Sequence, residues 1–474
     1  MSPSLPGAPS TEQLRKLARE LLRAHRAGQP EALDRVRRHH PRPGAAFRLA
    51  DAQLVVAREH GFPTWPRLKA YVDRVTTHGP ALRHAVEADV GYFEERAAGL
   101  LSAHESGVAE AADVFRRHLP ATAGARLTIE DARLAIARQH GFDTWNAFRV
   151  HVESLRDGGE EPFLRAVTAI RADDRQALTA LIDRYPGLSS ARGTNGNNLV
   201  GLATGMCRVD IVRLLLDLGA DPVSANDRGW TLLHQAAYMN HQELTRLLLA
   251  AGVPTDRSGH GDGGTPLVAA LFWGHREAAE LIAVRDLAPR NLRVAAGLGR
   301  PDLIDELVGR DGRIAPAAGA HRGFYRPHSG FPLWQPSDDR QQVLDEALTW
   351  AARSGRTNVM GMLVECGAGV DADPYRGTGL AWAVANGHAD TATWLLDHGA
   401  AVDRRSTFGG PRHGEGVTAL HLAAESGRAA VVRLLLERGA DPSLEDGVYR
   451  STPSGWAEHS GHHEVAAVLR EAGR

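Results

Sequence analysis

Cysteine is nearly absent: Cys207 and Cys366 are the only two in 474 residues. That excludes a disulfide framework and a thiolate metal site, and it fits a reducing compartment, with the cytoplasm as the expected location. No window offers the roughly 18 uncharged apolar residues that a membrane span needs, and Met1 to Pro9 has no basic segment followed by an apolar one. Neither a membrane partner nor secretion is expected. Charge of one sign is not in excess either, with 55 Lys and Arg against 57 Asp and Glu. Such a balance gives no global field for gripping a polyanion, which argues against nucleic acid. Lysine is reduced to Lys16 and Lys69, so the bases are almost all arginine. Aromatics make up only 6%, few for a β-sandwich.

Signatures of chemistry are scarce as well. No G-x-x-x-x-G-K-[ST], G-x-S-x-G or H-E-x-x-H occurs, and Gly259-His-Gly-Asp-Gly-Gly264 lies between helical segments rather than after a strand, so it is not a phosphate loop. The 23 histidines invite a metal reading, yet even Glu458, His459, His462 and His463 lack three or four convergent ligands. His60 and His140 end helices, where a cationic imidazole suits the C-terminal dipole. Arg35, Arg37, Arg38 and Arg42 read as a solvated helix face. No catalytic residue, cofactor or metal is assigned.

What is present points to helices. Apolar residues reach 43% and glycines number 50, a composition for closely packed helices punctuated by turns. The length allows several domains or one repeat array. Two periods emerge. Asp51-Ala-Gln-Leu-Val-Val-Ala-Arg-Glu-His-Gly-Phe-Pro-Thr-Trp65 recurs 80 positions later as Asp131-Ala-Arg-Leu-Ala-Ile-Ala-Arg-Gln-His-Gly-Phe-Asp-Thr-Trp145. In each copy a helix ends at Gly61 or Gly141 in a left-handed turn, Phe62 or Phe142 folds back, and Thr64 or Thr144 caps the next helix.

From about Pro162 the period shortens to near 33. Thr418-Ala-Leu-His421-Leu-Ala-Ala424, a Leu-rich helix through Leu436, then Gly439-Ala-Asp441 is the best copy; Thr231-Leu-Leu-His234-Gln-Ala-Ala237 is another. These strings resemble the ankyrin repeat of bacterial-type proteins. The resemblance implies an all-α solenoid of helix–turn–helix repeats with hairpin fingers, about nine of them over residues 159–474, after a helical duplicated region over residues 1–158. Thr231 and Thr418 read as caps whose hydroxyls reach the buried imidazoles of His234 and His421. The spacing breaks twice: Leu267 to Leu292 is short by a finger, and Leu292 to Leu348 is long by about 23 residues, which places a loop insertion at 310–340.

The resemblance also implies a binding scaffold for a protein partner. Tyr238, Met239, Phe272 and Trp273 then face the concave groove; Asp227, Arg228 and Trp230 stand at one finger, and Tyr375, Arg376, Phe408 and Arg412 at later ones. The inserted loop adds Arg322, Tyr325, Arg326, His328 and Trp334, with Phe324, Phe331 and Trp334 itself able to fold back over the groove aromatics. The competing reading is a small-molecule binder or enzyme with the loop as lid over Tyr238, Phe272 and Trp273.

Overall fold

The computed structural model describes residues 10–40, 46–122, 126–157, 161–309, 313–324, 334–408 and 415–473. Among these residues there are 26 α-helices, and the only paired strands are Arg83–His84 and Arg192–Gly193, which run parallel. The chain forms two compact units, Met1–Asp227 and Arg228–Arg474.

The first unit opens with the helices Thr11–Arg26, Pro30–His39, Leu49–Glu59 and Trp65–His78, followed by Val90–Glu105, Ala109–His118, Ile129–Gln139 and Trp145–Ser154. Local chemistry sets their ends. Asp51 Oδ2 accepts from Arg48 N at 2.8 Å, and Asp131 Oδ2 from Thr128 N at 2.8 Å, satisfying backbone donors at the starts of equivalent helices. At the other end Gly61 and Gly141 take φ of 79° and 77°. Phe62 N then donates to Ala57 O at 2.9 Å and Phe142 N to Ala137 O at 3.0 Å, the six-to-one bond of a Schellman turn.

His60 and His140 do occupy the capping positions, but they are not cations there. Both are buried, and burial pushes His60 down to about 4 and His140 to about 3. His140 stacks on Phe148 with ring centroids 4.6 Å apart and places Nδ1 2.8 Å from Ile136 O. The neutral ring is a core component, and its packing outweighs the dipole term invoked from sequence.

Nine helix pairs run from Pro162 to Ala472, two in the first unit and seven in the second. In the second unit the first helices are Leu232–Tyr238, Pro266–Phe272, Leu292–Leu298, Arg340–Arg353, Gly379–Asn386, Ala419–Glu425 and Pro453–His459. Consecutive first helices pack on one another. They approach closely because Ala236, Ala269, Ala295, Ala351 and Ala423 bury no more than a methyl group there. The second helices turn Leu248, Ile282, Leu363, Leu395 and Leu435 inward, so each pair leaves its apolar face to be covered by its neighbours.

The spacing anomalies become concrete. After Arg276–Ala283 the chain reaches Leu292 without a projecting finger, and Thr265 Oγ1 donates to Ala288 O at 2.8 Å instead. Where the period is long, the helix Arg340–Arg353 has 14 residues, twice the seven of Pro266–Phe272. Its C-terminus meets the pair two places earlier: Arg353 Nη1 donates to Phe272 O at 3.0 Å.

Candidate functional site

The turns that present the site are built on a two-sided histidine. Thr231 N donates to His234 Nδ1 at 3.2 Å and the Thr231 hydroxyl lies 2.9 Å from the same nitrogen. Nδ1 is therefore the acceptor, which leaves Nε2–H to donate to Gly264 O, 2.8 Å away in the next finger. His421 repeats the arrangement, with Nδ1 2.9 Å from Thr418 Oγ1 and Nε2 3.0 Å from Ser451 O. Only the neutral tautomer satisfies both contacts, and burial accordingly pushes His234 down to about 4. The sequence indicated the hydroxyl contact; the structure adds the carbonyl that ties one repeat to the next.

Aromatic side chains form a continuous line across these turns. Ring centroids are 5.7 Å apart for Trp230 and Tyr238, 5.9 Å for Tyr238 and Trp273, 6.2 Å for Trp273 and Trp382, and 4.7 Å for Trp382 and Phe408. A branch runs through Phe272 to Tyr375 at 6.4 Å and on to Trp334 at 4.7 Å. Tyr238, Trp273, Tyr375, Trp334 and Phe408 are half-buried, and Met239 beside them is 44% exposed. Beneath lie Trp230, Phe272, Phe324, Trp350 and Trp382, all buried.

The described part of the insertion is locked onto this floor. Phe324 packs on Phe272 at 5.3 Å between centroids, and residues 321–323 run against the glycine-rich finger. A Cβ at Gly261 would stand 2.1 Å from Gly323 O, and one at Gly263 2.0 Å from His321 O. The glycine run thus exists for close backbone approach.

Under the aromatics sits a buried ionic cluster. Glu346 receives Arg293 Nη1 at 2.7 Å on one oxygen and Arg322 Nη1 on the other. Arg322 also donates to the carbonyls of Gly319 and Ser337, which fastens the insertion at both sides. Among the described residues Arg353 has no carboxylate partner; it donates to Phe272 O and Tyr375 O, and its guanidinium carbon lies 3.7 Å from the Trp382 ring centroid and 4.5 Å from that of Phe272. Burial pushes Arg353 down to about 9, so it remains a cation at neutral pH. Arg293, Arg322 and Arg353 are each at most 2% exposed, and Glu346 pairs with the first two of them.

The description "Ankyrin repeats (3 copies)" matches residues 202–289 and 292–406, and "Ankyrin repeat" matches residues 415–447. The chain carries ankyrin repeats. Its architecture is an all-α ankyrin solenoid, a type of repeat that generally serves protein–protein interaction. The chain is similar to protein PhlB of Serratia liquefaciens, 44% identical over 68 residues, 14% of this chain and 30% of that protein. It is similar to the probable E3 ubiquitin-protein ligase XBOS32 of Oryza sativa subsp. japonica, 31% identical over 119 residues, 25% of this chain and 24% of that one. With the potassium channel AKT3 of the same plant the identity is 44% over 61 residues, 13% of this chain and 7% of the channel. The chain spans less than a third of the length of each of these relatives.

Within the ankyrin array the expected site residues separate into groups. Tyr238, Trp273, Trp334, Tyr375 and Phe408 lie along the aromatic line, and Met239, next to Tyr238 in the chain, is exposed. Arg376 borders it, donating to Thr407 O at 3.4 Å, and Arg228 is half-buried. Phe272, Trp230 and Arg322 need correction: they are 1%, 6% and 2% exposed, because rings and the insertion close over them, so they support the face from below. Asp227 is already paired, both its oxygens taken by Arg83 at 2.6 and 3.0 Å. Tyr325, Arg326, His328 and Arg412 lie outside the described residues.

Arg293, Glu346, Arg353, Trp350 and Trp382 escaped the sequence reading, although a signal was there. Arg293 stands two residues after the cap Asn291, where other repeats place Leu233, Leu267, Leu380 and Leu420 after theirs. An arginine in a leucine position is a buried arginine and requires a partner.

Proposed function

We propose that this chain is a scaffold that holds a protein partner in the concave groove and on the finger tips of its ankyrin repeats, in a bacterial cytoplasm. Residues 159–474 form the binding array, interrupted by a loop insertion at 310–340, and residues 1–158 form a separate duplicated helical region. One observation carries the reading: a line of half-buried aromatics, Tyr238, Trp273, Tyr375, Trp334 and Phe408, next to exposed Met239, on a buried aromatic floor. Aromatic residues with Met and Arg at the edge are what interface hot spots use, and a fixed floor lowers the ordering cost of binding. The partner is neither nucleic acid nor a membrane surface, since the balanced charge offers no field for either.

The test is quantitative affinity capture from lysate with the intact chain and with a variant carrying Tyr238→Ala and Trp273→Ala. Loss of the captured protein from the variant, with helicity retained, is the expected result; equal recovery overturns the assignment of this face. A second reading, a small-molecule binder on the same scaffold, is favoured by the buried arginine cluster alone.

A further inference from the structure

The arginine cluster has more donors than acceptors. Arg322 is fully engaged, on Gly319 O, Glu346 and Ser337 O. Arg293 is not: among the described residues only its Nη1 is used, while Nε and Nη2 are buried without a hydrogen-bond partner there. Arg353 Nε is in the same condition, as is Trp334 Nε1. These groups share one neighbourhood. Arg293 and Arg353 lie 4.5 and 5.8 Å from the Trp350 ring centroid, and Trp334 packs on Tyr375, whose carbonyl Arg353 holds.

Among the described residues, the carboxylates nearest these groups are spent. Glu346 gives one oxygen to each of two arginines. Asp373, the next carboxylate to act on Arg353, gives Oδ1 to Gly377 N and Oδ2 to Thr407 N and Oγ1. Residues 325–333, Tyr-Arg-Pro-His-Ser-Gly-Phe-Pro-Leu, contain no Asp or Glu. Buried donors are nearly always paired in folded proteins, and a guanidinium stays charged.

We propose that Arg293 and Arg353 form the binding site for an oxyanion, a carboxylate or phosphate group borne by a small ligand, which accepts from Arg293 Nε and Nη2, Arg353 Nε and Trp334 Nε1. Planar guanidinium forks match such anions in geometry as well as charge. Glu346 holds Arg293 and Arg322 in place and competes with the ligand for the same positive charge. The site extends the scaffold reading without depending on it, because its assay uses the purified chain and no partner.

The experiment is isothermal titration of the purified full chain with inorganic phosphate and, in a second arm, with glutarate, at constant ionic strength held by chloride. Saturable binding is expected in at least one arm, and the arm that responds distinguishes phosphoryl from carboxylate ligands. Arg353→Met should weaken that binding at least tenfold, whereas Arg246→Met, on the exposed face of a second helix, should leave it unchanged. Glu346→Gln should tighten it, an outcome that a purely structural ion pair does not produce. No saturable binding of either anion by the native chain overturns the proposal, as does equal loss in the Arg246→Met variant. Should Arg353→Met fail to fold, the native titration and Glu346→Gln still decide.

Discussion

At the scale of the residue, the buried histidines link stability to pH. His60 and His234 are held down to about 4 and His140 to about 3, each by burial. In the unfolded chain each returns to about 6.5. Between these values the unfolded state binds more protons, so the stabilisation is present above about pH 6.5 and is lost as the pH falls toward 4. At pH 5 the loss amounts to about 2 kcal/mol per histidine. Urea unfolding at pH 7.5 and pH 5.0 checks this: the midpoint should fall at the lower pH, and a constant or rising midpoint contradicts neutral core histidines. The threonine–histidine contact was legible in the sequence because both residues lie within four positions. The arginine cluster was not, since Arg293 and Arg322 meet Glu346 across 53 and 24 positions, and arginine ordinarily marks a surface.

At the scale of the element, the insertion and the glycine-rich finger act as one unit. The period arithmetic located the anomaly, a missing finger followed by extra residues, but it carried no information on how the space is filled. In the structure the helix Arg340–Arg353 supplies part of the length, and residues 321–324 lie along the finger. Gly261 records the closeness, with φ of 105° and no room for a Cβ. Gly261→Ala should therefore destabilise the second unit by more than about 1 kcal/mol, the opposite of the usual gain from removing a loop glycine. Gly399, whose Cβ would meet nothing within 4 Å, serves as the comparison, its strain coming from φ alone. Equal midpoints for Gly261→Ala and the native chain in thermal unfolding would mean that the insertion does not press on the finger.

At the scale of the whole molecule, a chain of helix pairs gains its stability between neighbours, and that is why a repeat pattern is so readable: the same short-range motif must recur wherever the same interface recurs. The binding face is less readable, because it depends on which rings the packing leaves partly uncovered. Sequence placed Phe272 and Trp273 together in the groove; the structure buries the first and leaves the second half-exposed. A partner held on the aromatic line should come within reach of Met239, which is 44% exposed and follows Tyr238 in the chain. The most direct measurement is photo-crosslinking in cells with benzoylphenylalanine at position 239, set against the same probe at exposed position 246 on the second helix of that pair. A partner adduct from position 239 and none from 246 is the expected result; an adduct from 246 alone, or from neither, rules out the aromatic line as the docking face.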